Sequence, residues 1–319
     1  MLCGLAGLIP AGPVSVLLDG CGEQPAALAA RLAATLTASG RPCVRLTGMD
    51  DADTGGDVAE GAVRLADGPG WRGTRTWDVM IWVRAGRDPD GAAENGADIV
   101  VDLYDQDWPV IRRVAASLAS RGSWYLTETR AFFSPRAATW DTRFGDDMPA
   151  YAAAVARAGI HRSGVAIDVG CGTGRALPAL RQAVGRDGAV IAADLTPEML
   201  AQARPQAAAA RAALVLADAR KLPFADASAD ALFAAGLINH LPDPEAGLGE
   251  LARVTRTGGL LVLFHPSGRA ALATRHGRTL TQDEPLSAGP LQRSTTATGW
   301  RLAAYDDAVD HFFALAVRC

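Results

Sequence analysis

Val165-Ala166-Ile167-Asp168-Val169 runs directly into Gly170-Cys171-Gly172-Thr173-Gly174-Arg175. A short apolar run of this kind reads as a buried strand, the glycines as a tight turn, and the residues beyond as a helix. Such a turn lets backbone approach a ligand closely, and the helix N-terminus favours polar or anionic groups. Glycine turns after strands are common, so the flanking elements decide. Val190–Asp194 is the next strand. It ends on a carboxylate roughly 20 residues beyond the glycines, the reach at which an acidic residue binds both hydroxyls of a ribose. Ala213–Ala217 follows, with Asp218-Ala219 at its end, placed for the edge of an adenine. Ala231–Ala235 and Leu260–Phe264 continue the series. Arg301–Tyr305 and Phe312–Arg318 read as two late strands around a turn at Asp306-Asp307. Alternation of strands and helices predicts an α/β fold built on parallel units.

Two ligand types suit a glycine turn followed by a ribose carboxylate: a nicotinamide or flavin dinucleotide, and S-adenosylmethionine. The dinucleotide pattern is GxGxxG or GxGxxA, whose last small residue allows close helix–strand packing. Arg175 stands at that sixth position, so the dinucleotide pattern is not met.

With Leu195-Thr196-Pro197-Glu198-Met199-Leu200 after Asp194, Leu222-Pro223-Phe224, Asn239-His240-Leu241-Pro242-Asp243, and Thr255-Arg256-Thr257-Gly258-Gly259 before the fifth strand, the stretch from about Ser134 to Cys319 resembles the class I S-adenosylmethionine-dependent methyltransferases. That resemblance implies a Rossmann-like, seven-stranded sheet with helices on both faces, and S-adenosylmethionine as cofactor. It also implies roles. Asp168, Gly170, Gly172 and Gly174 would hold the methionine moiety. Asp194 would take the ribose, Leu195 would lie against the adenine, and Asp218 with Ala219 would read the adenine amine and ring edge. Leu237 would sit beneath the sulfonium. Trp140 matches an aromatic that covers the cofactor in quinone-type relatives, many of which carry Tyr there. Cys171 reads as a small filler, because methyl transfer from a sulfonium needs no nucleophilic thiol. His265, after the fifth strand, and His240, after the fourth, lie at the carboxyl edge of the sheet and are the candidate general bases. A surface or hydrogen-bonded histidine is the plain alternative for each.

The first part of the chain reads as a smaller α/β domain. Val14–Leu18 is a strand ending at Asp19-Gly20, and Pro25 to about Ser39 a helix with Leu28, Leu32 and Leu36 on one face. Cys43–Leu46, Val79–Val83 and Asp98–Leu103 are further strands. Asp50–Gly70 reads as turn-rich, and Trp108-Pro109 as the opening of a helix to about Ser120. The strand–turn–helix resembles uridine-kinase-like P-loop proteins. Aligned on Gly20, however, Pro25, Ala26 and Ala27 occupy the places of the second Gly, the phosphate-binding Lys and the Mg²⁺-binding hydroxyl. The resemblance therefore implies a degenerate unit without kinase activity, and a structural or dimerising domain is the plain alternative. Residues 1–130 hold 17 acidic and 12 basic residues, a poor polyphosphate trap. Residues 122–147 look like the joint, giving domains of 1–130 and 131–319.

Composition agrees with two packed domains: 319 residues, 49% hydrophobic and 21% charged. A net charge of −4 excludes a duplex nucleic-acid binder, which needs a basic face. Of 31 basic residues only Lys221 is a lysine, which disfavours Walker A and Schiff-base chemistry; the Arg-rich, Ala-rich bias suggests a high-GC bacterial source. The five cysteines form no CxxC pair, so no metal set is expected and a reducing cytoplasm is. Met1–Leu18 carries no charge, yet Gly4, Gly7, Pro10, Gly12 and Pro13 interrupt it, so neither a signal peptide nor a membrane span is expected. The expected activity is methyl transfer to a small-molecule acceptor, with a homodimer left open. The alternative is a non-catalytic, cofactor-binding scaffold that uses the worn first domain as its interaction surface.

Overall fold

The computed structural model describes residues 1–20, 22–46, 62–84, 96–103, 110–119, 124–275, 280, 282 and 284–319. The chain divides into two compact units, Met1–Glu128 and Thr129–Arg275 with Leu280–Cys319.

In the first unit, β1 (Val14–Gly20) is central to a six-stranded sheet with β2 (Cys43–Arg45), β3 (Val63–Asp67), β4 (Val79–Arg84), β5 (Ile99–Asp102) and β6 (Val110–Val114), ordered β2-β3-β1-β4-β5-β6. All neighbours pair in parallel except β5 and β6. A central parallel strand is covered on both faces, which is why Val14 to Asp19 are buried without alternation. Leu28, Leu32 and Leu36 of the helix Gln24–Ala38 are buried, as their i, i+4, i+8 spacing predicts. Asp19 is fully buried at the end of β1 and paired with Arg72, whose guanidinium lies 5.0 Å from the Trp82 ring centroid.

The uncharged N-terminal run contains a seven-residue helix, Leu2–Leu8, before β1. Two readings of this part need correction. The segment read as turn-rich contains β3, whose Val63, Leu65 and Ala66 are buried; Arg64 and Asp67 interrupt its apolar pattern. The helix expected from Trp108-Pro109 is a strand: Val110–Val114 pairs antiparallel with β5, followed by a short helix, Ala116–Ala119. Its β-branched residues suit a pleated edge, and Arg112 pairs with Asp102 across the two strands. Trp108, Pro109 and the residues expected to form the start of that helix lie outside the described residues.

The second unit is a mixed, seven-stranded sheet. It contains β7 (Val165–Val169), β8 (Ala189–Asp194), β9 (Ala213–Leu216), β10 (Ala229–Ala235), β11 (Thr255–His265), β12 (Trp300–Asp307) and β13 (Phe312–Arg318) in the order β12-β13-β11-β10-β7-β8-β9. β9, β8, β7, β10 and β11 run parallel, and β13 is antiparallel to both β11 and β12. Tyr151, Phe233 and Phe264 meet in the core with centroids 5.0–6.1 Å apart. The helix Met148–Ala158 stops at Gly159, whose φ of 66° only a residue free of Cβ strain takes easily. Two boundaries differ from expectation. β11 begins at Thr255, so the Gly258-Gly259 segment lies within the strand. β12 continues through Asp307, which moves the last turn to residues 308–311. The Ser134 hydroxyl, at the start of the 3₁₀ turn Ser134–Thr139, donates to Glu198.

β7 has β8 on one side and β10 on the other. The connections leave β7 in opposite directions at this point, and the crevice beyond the carboxyl ends of such strands is where open α/β sheets bind ligands. The turns after β7 and β10 flank it.

Candidate active site

The turn after β7 is held to β8 by Gly170 and Cys171, whose N–H groups donate to the Ala193 carbonyl at 2.8 and 3.0 Å. Gly170, Gly172 and Gly174 all have positive φ, 72°, 53° and 84°. Each glycine meets different surroundings. A Cβ at Gly174 would fall 2.9 Å from Leu177 Cδ1, and one at Gly170 3.2 Å from Leu237 Cδ1. A Cβ at Gly172 would meet nothing within 4 Å.

Asp194 ends β8 beside this turn. Its Oδ2 accepts from Gly172 N at 2.9 Å and its Oδ1 from Thr196 N at 2.8 Å. The Thr196 hydroxyl and the Leu195 N–H also act on this carboxylate, so ligand hydroxyls would share its lone pairs with these donors. Burial raises the Asp194 pKa, and these N–H donors oppose the rise. Asp168, 2% exposed, lies beneath; burial, then the neighbouring Asp194 charge, pushes it up to about 8. A buried carboxyl in this state is poised to receive a cationic group, which would restore its charge. Cys171 is buried and its thiol is driven upward, which fits a filler rather than a nucleophile. Asp218 is engaged by Arg220, with Nη2 to Oδ2 at 2.6 Å, beside the buried Ala219. Leu195 presents its carbonyl to Arg130 Nε at 3.1 Å. The donor set therefore fits S-adenosylmethionine: a buried acid for an ammonium, a second carboxylate for ribose hydroxyls, an open glycine, and small apolar walls at Leu195 and Ala219.

A small cleft of about 20 Å³ opens between the ends of β10 and β11, lined by Leu237, Asn239, Phe264, His265, Arg269 and Leu286 among others. Leu237 belongs to both places, since it also abuts Gly170. His265 Nδ1 lies 3.1 Å from Ser267 N and 3.0 Å from Ser267 O. Arg269 is held by Glu284 at 3.1 Å, Asp307 at 3.2 Å and the Ser287 hydroxyl at 2.7 Å. The structure separates the two histidines. His240 is not among the cleft residues; it packs against Phe133 and Phe132, with centroids 5.1 and 6.3 Å away. Trp140 packs on Phe133 at 5.6 Å, so Trp140 and His240 share one aromatic cluster.

Sequence reading did not single out Phe132, Phe133, Asp141, Asp147 or Arg269. Phe132-Phe133 directly before Ser134-Pro135 is the one local signal, an apolar pair outside any strand. Arg269 carries none.

A family model described as a methyltransferase domain matches residues 167–263. The chain is 38% identical over 105 residues to a demethylmenaquinone methyltransferase of Shouchella clausii (strain KSM-K16), covering 32% of this chain and 45% of that one. It is 36% identical over 101 residues to 27-O-demethylrifamycin SV methyltransferase of Amycolatopsis mediterranei (strain S699), covering 30% and 36%. The chain thus spans less than half the length of these two relatives. A solved SAM-dependent methyltransferase from Aquifex aeolicus is similar with a TM-score of 0.45 and 21% identity, covering 61% of this chain and 98% of that one. Residues 167–263 of the second unit thus resemble a methyltransferase domain.

Proposed function

We propose that this protein transfers the methyl group of S-adenosylmethionine to a small, largely apolar acceptor bound in the cleft between β10 and β11. The observation that carries this reading is Leu237. It touches the glycine turn on one side and lines the cleft on the other, so a donor held at Gly170–Gly174 abuts the acceptor space. When bound, the donor supplies an electrophilic sulfonium methyl, open to in-line displacement. The chain's own residues orient, exclude water and handle the acceptor proton. In this reading Asp168 takes the ammonium, Asp194 the ribose hydroxyls, and Leu195, Asp218 and Ala219 the adenine.

We assign His265 as the general base for an oxygen or nitrogen acceptor. The tautomer with its proton on Nδ1 donates to Ser267 O at 3.0 Å and makes Nε2 the basic atom. When Nε2 takes the acceptor proton, the imidazolium keeps its Nδ1–H on Ser267 O; donation from Ser267 N to Nδ1 would instead favour the Nε2–H tautomer, which cannot serve as the base. His240 is assigned to the aromatic wall. For the first unit we infer a worn P-loop: β1 leads into the helix Gln24–Ala38 as in that motif, with Ala26 and Ala27 in place of the functional groups. We place the protein in the cytoplasm, where Cys3, Cys43, Cys171 and Cys319, all free thiols, would stay reduced.

The test is calorimetric titration with S-adenosylhomocysteine, followed by radiolabelled methyl transfer to a panel of phenolic, quinol and macrocyclic acceptors. Absence of homocysteine-form binding would overturn the reading.

A further inference from the structure

Arg175 stands where the dinucleotide pattern asks for a small residue, yet its side chain is only 8% exposed. Its Nε lies 3.0 Å from Asp141 Oδ1, its Nη2 3.4 Å from the Asp141 carbonyl, and its Nη1 pairs with Asp147. Thr173, in the same glycine turn, donates its hydroxyl to Asp141 Oδ1 at 2.6 Å. Two side chains of one turn therefore grip the same carboxylate. The gripped stretch follows Trp140, which packs on Phe133, which packs on His240 beyond β10. Its upstream part is pinned to the turn after β8, through Arg130 to the Leu195 carbonyl and Ser134 to Glu198. Residues 130–147 thus touch the turns after β7, β8 and β10, the three that present ligand groups. A buried guanidinium is costly unless paired with good geometry, so it holds its partners in one arrangement.

We infer that Arg175 is a positioning residue that latches residues 130–147 over the site through Asp141 and Asp147, coupling cofactor binding to the placement of Phe133 and Trp140. This rests on the cofactor reading above. A ligand that orders Gly172–Gly174 sets Thr173 and Arg175 to hold Asp141, and by reciprocity a held Asp141 tightens the ligand site.

The experiment measures S-adenosylhomocysteine affinity by calorimetry for the full chain, Arg175→Gln, Asp141→Asn and the double variant, with tryptic cleavage within residues 130–147 followed with and without the ligand. Asp141 has a side chain 61% exposed, so its Asn variant keeps the test open if Arg175→Gln does not fold. The expected result is a ligand-slowed cleavage in the parent chain that is lost in each single variant. Affinity falls about ten-fold in each, and the double variant is no weaker than the weaker single. Variants that bind within about two-fold of the parent, with protection retained, overturn the latch alone. A parent chain that binds no ligand overturns the cofactor reading and the latch together.

Discussion

Asp168→Asn separates two roles of one buried carboxyl. In the ligand-free protein burial and the Asp194 charge hold Asp168 at about 8, against an ordinary value of 3.8. With that value, about one molecule in a hundred is ionised there at pH 6 and about half at pH 8. If the ionised form receives the ligand ammonium, homocysteine-form affinity rises about 50-fold from pH 6 to pH 8, because only the competent fraction binds. Stability runs the other way. The folded pKa lies above the unfolded one, so the unfolded chain releases the proton first. Stability is fully present below about pH 4 and is lost as pH rises toward 8, by about 1.4 kcal/mol per unit at most. The Asn variant removes this titration. Its thermal midpoint, measured by calorimetry, gains on the parent at pH 8 relative to pH 5, while its ligand affinity is weak and flat with pH. The assay is titration calorimetry at three pH values beside thermal scans of both proteins. A parent affinity that does not change between pH 6 and pH 8, matched by the Asn variant, refutes the assignment of the ammonium to Asp168.

On the ribose assignment proposed above, Asp194→Ala removes hydrogen bonds worth about 1.5–3 kcal/mol each, and it also frees the N–H of Gly172. Calorimetry should show affinity for the homocysteine form falling by more than about ten-fold, with the circular dichroism spectrum unchanged. His265→Ala should lower kcat by about 100-fold with cofactor affinity unaltered, once an acceptor is found; full activity in both Ala and Asn variants removes it from the mechanism. MgATP should leave the melting temperature of the full chain unmoved, because Ala26 and Ala27 supply neither the charge nor the hydroxyl that holds its phosphates.

The second unit was legible because its signals are local and redundant. Five parallel strands read as apolar runs, four of them largely buried and the edge strand β9 partly exposed, and glycines with positive φ sit where side chains would meet Leu177 or Leu237. Motifs at strand ends therefore fell at the carboxyl edge of the sheet, around the turn after β7 and the cleft beyond β10 and β11. The first unit was less legible. β3 mixes Arg64 and Asp67 with buried residues, and β6 follows a Trp-Pro pair that resembles a helix start; their pairing with distant strands overrode local propensity. The two histidines illustrate the limit within the site. Both follow strands at the same sheet edge, yet His265 reaches the cleft and His240 packs on Phe133. That difference is set by Phe132 and Phe133, more than a hundred residues away in sequence, and no spacing rule encodes it. Arg269 was hidden for the same reason, since its partners Glu284 and Asp307 come from separate segments.

Arg269 is the one formally charged residue among the described lining of the cleft, and two carboxylates already surround its guanidinium. The cleft therefore presents no net attraction to an ionic visitor. If the acceptor binds here as proposed, long-range steering contributes little to its capture and association should be nearly insensitive to ionic strength. Selection falls to contour and to the fit of hydrocarbon against Leu237, Phe264 and Leu286. On the proposed reading, retargeting the protein to another acceptor would be a matter of recarving those walls, while a new surface charge would leave its preference where it was.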